Sequence, residues 1–366
     1  MLGVGLIGGS IGLAARERID EAEVRGFDPD GRALELAVER GAIDEACPTI
    51  EAALEGAELC FLCAPVGALP ELACRALERG GDSVVSDVGS TKRAVIDTLA
   101  SSGLADADLA RFVGGHPLAG AEAAGVEHAR VDLFEAATWY LTPTAGTSGV
   151  HYERLYRALS ALGARPEAIA PGIHDRVMAT VSHLPHVLAN VLVGQAAGAL
   201  TEDAQRLPAT GPSFRDATRV AGANPALWRD ILLSNREALS EELEACIAAL
   251  RQVLDELLRD DDEGLQQWIE AARADRQRLR DAEVAAGPVK EVRVSVPNRP
   301  GIVAQLSLAI GEAGVNIIDM ALYPAADMQS GAIALWIAGE RSAERVVELI
   351  EGLGYPVSIV DGGESA

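Results

Sequence analysis

Four segments of this chain carry reactive polar side chains that a purely structural segment would not need. Gly114-Gly115-His116-Pro117-Leu118-Ala119-Gly120-Ala121-Glu122 holds a histidine between two glycines and a proline. An imidazole that titrates near neutrality on such an elbow can take the proton of a substrate hydroxyl. Ser86-Asp87-Val88-Gly89-Ser90-Thr91-Lys92 follows an apolar run and opens a helix, where Ser90 serves as an N-cap or as a ligand's hydrogen-bond partner. His174-Asp175 and Ser182-His183-Leu184-Pro185-His186 share one helical stretch, with His183 and His186 on the same side. Two imidazoles without a cysteine or an E-x-x-H pairing make a poor metal site, so no metal is expected. In Gly211 to Arg219, Asp216 and Arg219 are one helical turn apart and Trp228 follows nine residues later. The pair is either a plain surface ion pair or a steadied guanidinium fork for a substrate carboxylate.

A fifth segment binds rather than reacts. Gly3, Gly5 and Gly8 form G-x-G-x-x-G, and Asp28 follows Gly8 by twenty residues at the end of the next apolar run. Glycines there allow a tight turn and close approach of a pyrophosphate to a helix N-terminus, and the carboxylate accepts from ribose hydroxyls. A carboxylate at that place repels a 2′-phosphate, so NAD is the expected cofactor rather than NADP. Its contacts are expected at Gly3, Gly5, Leu6, Ile7, Gly8 and Asp28, with Ala64 and Pro65 at the end of a following strand. Only Met1 and Leu2 precede the first glycine, so the strand leading into the loop is expected to be truncated and the loop loosened. Cys60 and Cys63 mimic C-x-x-C but lie in a probable strand on opposite faces, and are read as buried hydrophobes.

These residues need a scaffold, and the apolar pattern supplies one. Strands are expected at Val24 to Asp28, Leu59 to Pro65, Ser83 to Val88, Arg111 to Gly114 and Thr138 to Thr142, with helices such as Gly31 to Arg40 and Leu69 to Arg79 between them. That alternation predicts an α/β domain, a Rossmann-type parallel sheet over residues 1–168. Helices alone follow over 169–286, at Asp175 to Leu200, Ser213 to Val220, Ala226 to Leu258 and Gly264 to Glu283. Ala285-Ala286-Gly287-Pro288 reads as a linker. Residues 290–361 then read βαββαβ, a ferredoxin-like unit able to fold alone, with strands at Glu291 to Pro297, Val315 to Tyr323, Gly331 to Ile337 and Pro356 to Val360.

Composition narrows the function. The 366 residues carry a net charge of −24 without a basic run, which disfavours nucleic acid and anionic membranes. No secretory signal and no scattered-cysteine framework suit export, so a cytoplasmic place is expected. Lys92 and Lys290 are the only lysines, every other cation being arginine, so Lys92 has kept its identity against a strong bias.

Taken together, G-V-G-L-I-G-G-S, D-V-G-S-T-K, G-G-H-P-L-A-G-A-E, H-D with S-H-L-P-H, and F-R-D-A-T-R with W-R-D resemble the prephenate dehydrogenase family over residues 1 to about 280. The resemblance implies a helical domain that joins two subunits in a homodimer, and an active site between the nucleotide-binding and helical domains. It implies His116 as the catalytic hydrogen-bond acceptor, Ser90 as its partner at the substrate hydroxyl, and Arg219 as a carboxylate anchor. His183, His186, Glu122, Asp216, Trp228 and Lys92 complete the implied catalytic and substrate-binding set. The resemblance implies prephenate, or the closely similar arogenate, as the substrate. A β-hydroxyacid dehydrogenase would share the scaffold but needs a catalytic lysine on the helical domain, and none lies between Arg93 and Val289. The non-enzyme alternative is an amino acid sensor.

The C-terminal unit resembles an ACT domain through Val296-Pro297-Asn298-Arg299-Pro300-Gly301-Ile302 and Gly314-Val315-Asn316-Ile317. The resemblance implies an amino acid effector, tyrosine for this enzyme, held near Asn298, Pro300, Gly301, Asn316 and Ile317. A dimerisation module without a ligand is the other reading.

Overall fold

The computed structural model describes residues 1–120, 123–198, 210–283, 289–325 and 330–360. The chain divides into two compact units, one of Met1–His174 with Ala286–Ala366 and one of Asp175–Ala285. The expected linker 285–288 lies outside the described residues.

In the first unit, seven strands follow the expected alternation: β1 (Arg25–Gly26), β2 (Glu45–Ala46), β3 (Leu59–Leu62), β4 (Val84–Asp87), β5 (Gly114–Pro117), β6 (Thr138–Thr142) and β7 (Arg165–Ala168). β1 pairs with β2 and β3 with β4, both in parallel. Isolated bridges connect these sheets: Leu2 bridges Phe27 on one side and Leu62 on the other, and Phe112, just before β5, bridges Val85 of β4. The residues before the glycine loop lie between the strand segments of Phe27 and Leu62: Leu2 N–H donates to Phe61 O at 2.9 Å and Gly3 N–H to Phe27 O at 2.8 Å. The expectation of a wholly parallel sheet is corrected at β5, which runs antiparallel to β6. The strand expected at Arg111 to Gly114 is also shifted onward, so that His116 lies within β5 opposite Tyr140.

The C-terminal part has β8 (Val289–Pro297), β9 (Ile317–Pro324), β10 (Ser330–Ala338) and β11 (Val357–Val360), all antiparallel in the order β11-β8-β10-β9. Helices Ile302–Glu312 and Glu340–Gly352 complete βαββαβ. It is not the self-contained body that the pattern suggests. Its core residues Val292, Ile302, Leu306 and Ile317 belong to one apolar cluster with Tyr152, Leu155, Tyr156 and Ala168 of the nucleotide-binding part. The buried Tyr156 hydroxyl donates to Ile317 O at 2.9 Å, and burial pushes its phenol up, which keeps it a donor. Small residues permit the close fit: a side chain at Gly311 would overlap the Ala168 carbonyl, and one at Gly149 would press on Val303.

The second unit is helical throughout its described residues. The stretch expected as one helix from Ala226 to Leu258 is two, Pro225–Ser234 and Arg236–Arg259, broken at the buried Asn235. A π-helical turn, Ala179–His183, precedes helix Leu184–Gly198. Residues 171–198 are, by length and composition, apolar enough to cross a membrane, with 28% of the most apolar window buried.

Candidate active site

The glycine loop shows why each glycine is there. Gly3 has φ +101°, and a side chain on it would run into the Cys63 carbonyl, while one on Gly8 would run into the Gly3 carbonyl. Protein packing accounts for both. Gly5 is different: it precedes helix Leu6–Arg18, and an added Cβ meets nothing within 4 Å. Open backbone at a helix N-terminus fits an anionic ligand such as a dinucleotide pyrophosphate. Leu6 and Ile7, half-buried, form the first turn. The Asp28 carboxylate accepts from Val4 N–H at 3.0 Å and Asp30 N–H at 2.9 Å, so it braces the loop it was expected to serve. Ala64 and Pro65 leave β3 beside Gly3. Burial pushes the Cys60 thiol up to about 11 and that of Cys63 to about 12, so both stay protonated and unreactive.

The end of β4 is tied to β5 through one carboxylate. Asp87, fully buried, accepts from Gly89 N–H at 3.0 Å and from Gly115 N–H at 3.2 Å, and pairs with Lys92. The Lys92 ammonium, 1% exposed, also donates to Gly115 O at 2.6 Å. Gly115 thus has both backbone groups held by a single ion pair. Lys92, expected to contact substrate, has its ammonium engaged inside the protein, where it holds the glycine that precedes His116. The motif alone does not disclose a role for Asp87; Lys92, one of only two lysines in a chain otherwise made basic by arginine, is the signal that points to it. Ser90 lies on the loop after Gly89. It is not the N-cap, because helix Arg93–Ser101 starts after Lys92, and its buried hydroxyl has no hydrogen-bond partner among the described residues. A buried hydroxyl in that state calls for a ligand or water.

His116 is half-buried, and its Nδ1 lies 2.9 Å from Nε2 of the fully buried His174. The two rings meet edge to face at 5.1 Å, and the Tyr140 ring stands edge-on to His174 at 5.8 Å. Glu122 lies outside the described residues.

In the helical unit, Asn235 Nδ2 donates to Asp175 O at 2.7 Å and lies 3.1 Å from His183 Nδ1, which fixes the ring of a buried histidine. Nothing local in the sequence marks Asn235, since a single Asn within an apolar helical period is equally compatible with a solvated position. His186 stacks on Trp228 at 3.4 Å between ring centroids, and burial holds its imidazole below the ordinary range. His186 Nδ1 is buried without a hydrogen-bond partner among the described residues. Asp216 and Arg219 are exposed, Arg219 opening a 3-10 turn. Among the described residues no group of three or more metal-ligating side chains gathers.

A glycine loop open at Gly5, a carboxylate bracing it and an imidazole on β5 suit a dinucleotide-dependent dehydrogenase. Residues 11–168 match the prephenate dehydrogenase nucleotide-binding domain and residues 170–271 the prephenate dehydrogenase dimerization domain. The chain is 30% identical to prephenate dehydrogenase of Bacillus subtilis over 361 residues, 96% of this chain and 95% of that one. The crystal structure of Aquifex aeolicus prephenate dehydrogenase in complex with hydroxyphenyl propionate and NAD+ superposes with TM-score 0.70 at 31% identity, covering 76% of this chain and 96% of that. Synechocystis arogenate dehydrogenase does so with TM-score 0.66 at 30% identity, covering 76% and 98%. The chain belongs to the prephenate dehydrogenase family.

Proposed function

We propose that the chain oxidatively decarboxylates prephenate to 4-hydroxyphenylpyruvate in tyrosine biosynthesis. NAD, when bound, supplies the hydride acceptor. The protein's own tasks are then to hold the substrate, accept the hydroxyl proton and keep the groups aligned. The carrying observation is the Asp87 carboxylate, which binds Gly89 N–H beside Ser90 and Gly115 N–H beside His116. His116 takes the hydroxyl proton, a contribution of roughly 10²- to 10⁴-fold, and the Ser90 hydroxyl partners the same substrate oxygen. Arg219 anchors a substrate carboxylate, with His183, His186, Asp216 and Trp228 supplied by the helical unit.

Arogenate is the second reading, supported by the similarity to the Synechocystis enzyme. Initial rates with prephenate and with arogenate, each with NAD and NADP, decide between them, and inactivity with all four overturns both. His116→Asn should fold, bind NAD and lose at least about 100-fold in kcat. Unchanged kcat would remove His116 from the chemistry.

Two further readings concern assembly and regulation. A homodimer is supported by the match to a dimerization domain and by the exposed apolar row Ile247, Leu250, Leu254 and Leu257. Sedimentation at micromolar concentration tests it. The βαββαβ topology supports an ACT-type unit sensing tyrosine, yet two expected effector positions are engaged: Gly301 N–H donates to Thr147 O at 3.1 Å, and Ile317 O accepts from Tyr156. Of the others, Asn298 and Pro300 are exposed, and Asn316 Oδ1 is buried without a partner in the protein. Calorimetric titration of tyrosine in the presence of saturating prephenate separates an effector site from competition in the active site.

A further inference from the structure

We propose that His174 is a positioning residue that selects the working tautomer of His116. The inference rests on His116 being the proton acceptor. Between His116 Nδ1 and His174 Nε2, 2.9 Å apart, there is room for one proton. If His174 donates it, His116 carries its own proton on Nε2 and has no lone pair there for a substrate. If His116 donates from Nδ1, its Nε2 is left as a lone pair and can act as the base. Only the second arrangement works, and it requires His174 to be neutral with its Nε2 unprotonated.

The surroundings suit that role. His174 is 0% exposed on helix Pro171–Met178, while His116 is half-buried within β5. The buried ring therefore orients the accessible one. His174 is also wedged between the His116 and Tyr140 rings, edge to face with each, so it cannot swing away without disturbing β6. In the reaction His116 Nε2 takes the substrate hydroxyl proton while NAD, when bound, would accept the hydride from the same carbon; the ring carboxylate leaves as carbon dioxide, and the proton returns to the oxygen of the aromatic product. His116 becomes an imidazolium whose Nδ1–H still donates to His174 Nε2, now as a charge-assisted bond. No proton need pass to His174, which stays neutral throughout.

Two measurements test the assignment in the full-length chain. Nitrogen-15 spectra of the histidines at neutral pH should show His116 protonated at Nδ1 and bare at Nε2, identified by its loss in His116→Asn. The opposite tautomer overturns the proposal. For kinetics, His174→Leu removes the acceptor and should lower kcat about 100-fold, the lower end of what a general base contributes, with KM for prephenate and the Kd for NAD within about threefold. His174→Gln keeps a carbonyl oxygen that can accept from Nδ1 and should recover at least tenfold of that loss. Equal kcat for wild type and His174→Leu, with His116→Asn inactive, makes His174 a packing residue only. If His116→Asn itself turns over, the fault lies in the underlying reading. Should His174→Leu fail to fold, the tautomer and the His174→Gln rate still decide.

Discussion

Lys92 and Asp87 form a buried ion pair whose cation also holds the carbonyl of Gly115 and whose anion holds the N–H of the same residue. A pair taken out of water gains little over a well-packed apolar replacement, but removing one partner strands a charge. Lys92→Met or Asp87→Asn alone should therefore destabilise by about 3–5 kcal/mol, read by urea unfolding. The double variant should recover most of that stability. A single variant as stable as wild type would show that the charges are not paired in solution.

Asp28 braces Val4, and in the function proposed above its carboxylate also disfavours a 2′-phosphate. Asp28→Ser should raise KM for NAD and at the same time shrink the preference for NAD over NADP, measured as the ratio of kcat/KM values. An unmutated enzyme that uses NADP equally well would contradict this.

Arg219→Ala should raise KM for prephenate far more than it lowers kcat, the signature of lost uniform binding. A fall in kcat at constant KM would place the guanidinium in the transition state instead.

His186 is a neutral, buried imidazole at pH values where an exposed one is charging. Because its folded pKa is depressed, the unfolded chain binds more protons below about pH 6.5, and stability falls as pH drops through that value. His186→Phe abolishes this contribution, so relative to wild type the variant should be more stable at pH 5.5 than at pH 8. Urea midpoints at the two pH values test the sign.

The shared core changes what truncation is expected to do. Ending the chain before β8 uncovers Tyr152 and Tyr156 and leaves the Tyr156 hydroxyl without Ile317 O, so the shortened protein should melt lower and aggregate rather than persist as a free dehydrogenase. Tyr156→Phe, which removes one hydrogen bond and little packing, should cost about 1 kcal/mol. A truncated chain with the wild-type Tm would contradict the common core.

Local signals in the sequence carried most of the fold. Helix Leu69–Arg79 and strand Thr138–Thr142 stand where periodicity and β-branching put them. β7 went unseen because Arg165-Pro166-Glu167-Ala168 has a proline and charges, which only an edge strand tolerates, and β7 does lie at an edge. The break at Asn235 depends on bonds to Asp175 and His183, far away in sequence. The same limit applies to the site. His116, Ser90 and the glycine loop announce themselves through neighbours in the chain, whereas Asp87, Lys92 and His174 acquire their partners only by folding.

The docked turn at Gly301 has a consequence for any small molecule that seeks its N–H. In the folded chain Thr147 O already holds that hydrogen, and a side chain added at Gly301 would overlap the Ala145 carbonyl. A carboxylate ligand can take the N–H only in molecules where the joint between β8's following turn and residues 145–147 has opened. If about one molecule in a hundred is open, the apparent affinity is about 100-fold weaker than the intrinsic one. Ligand occupancy and release of the joint then become one equilibrium, so whatever tightens the joint weakens the ligand by the same factor.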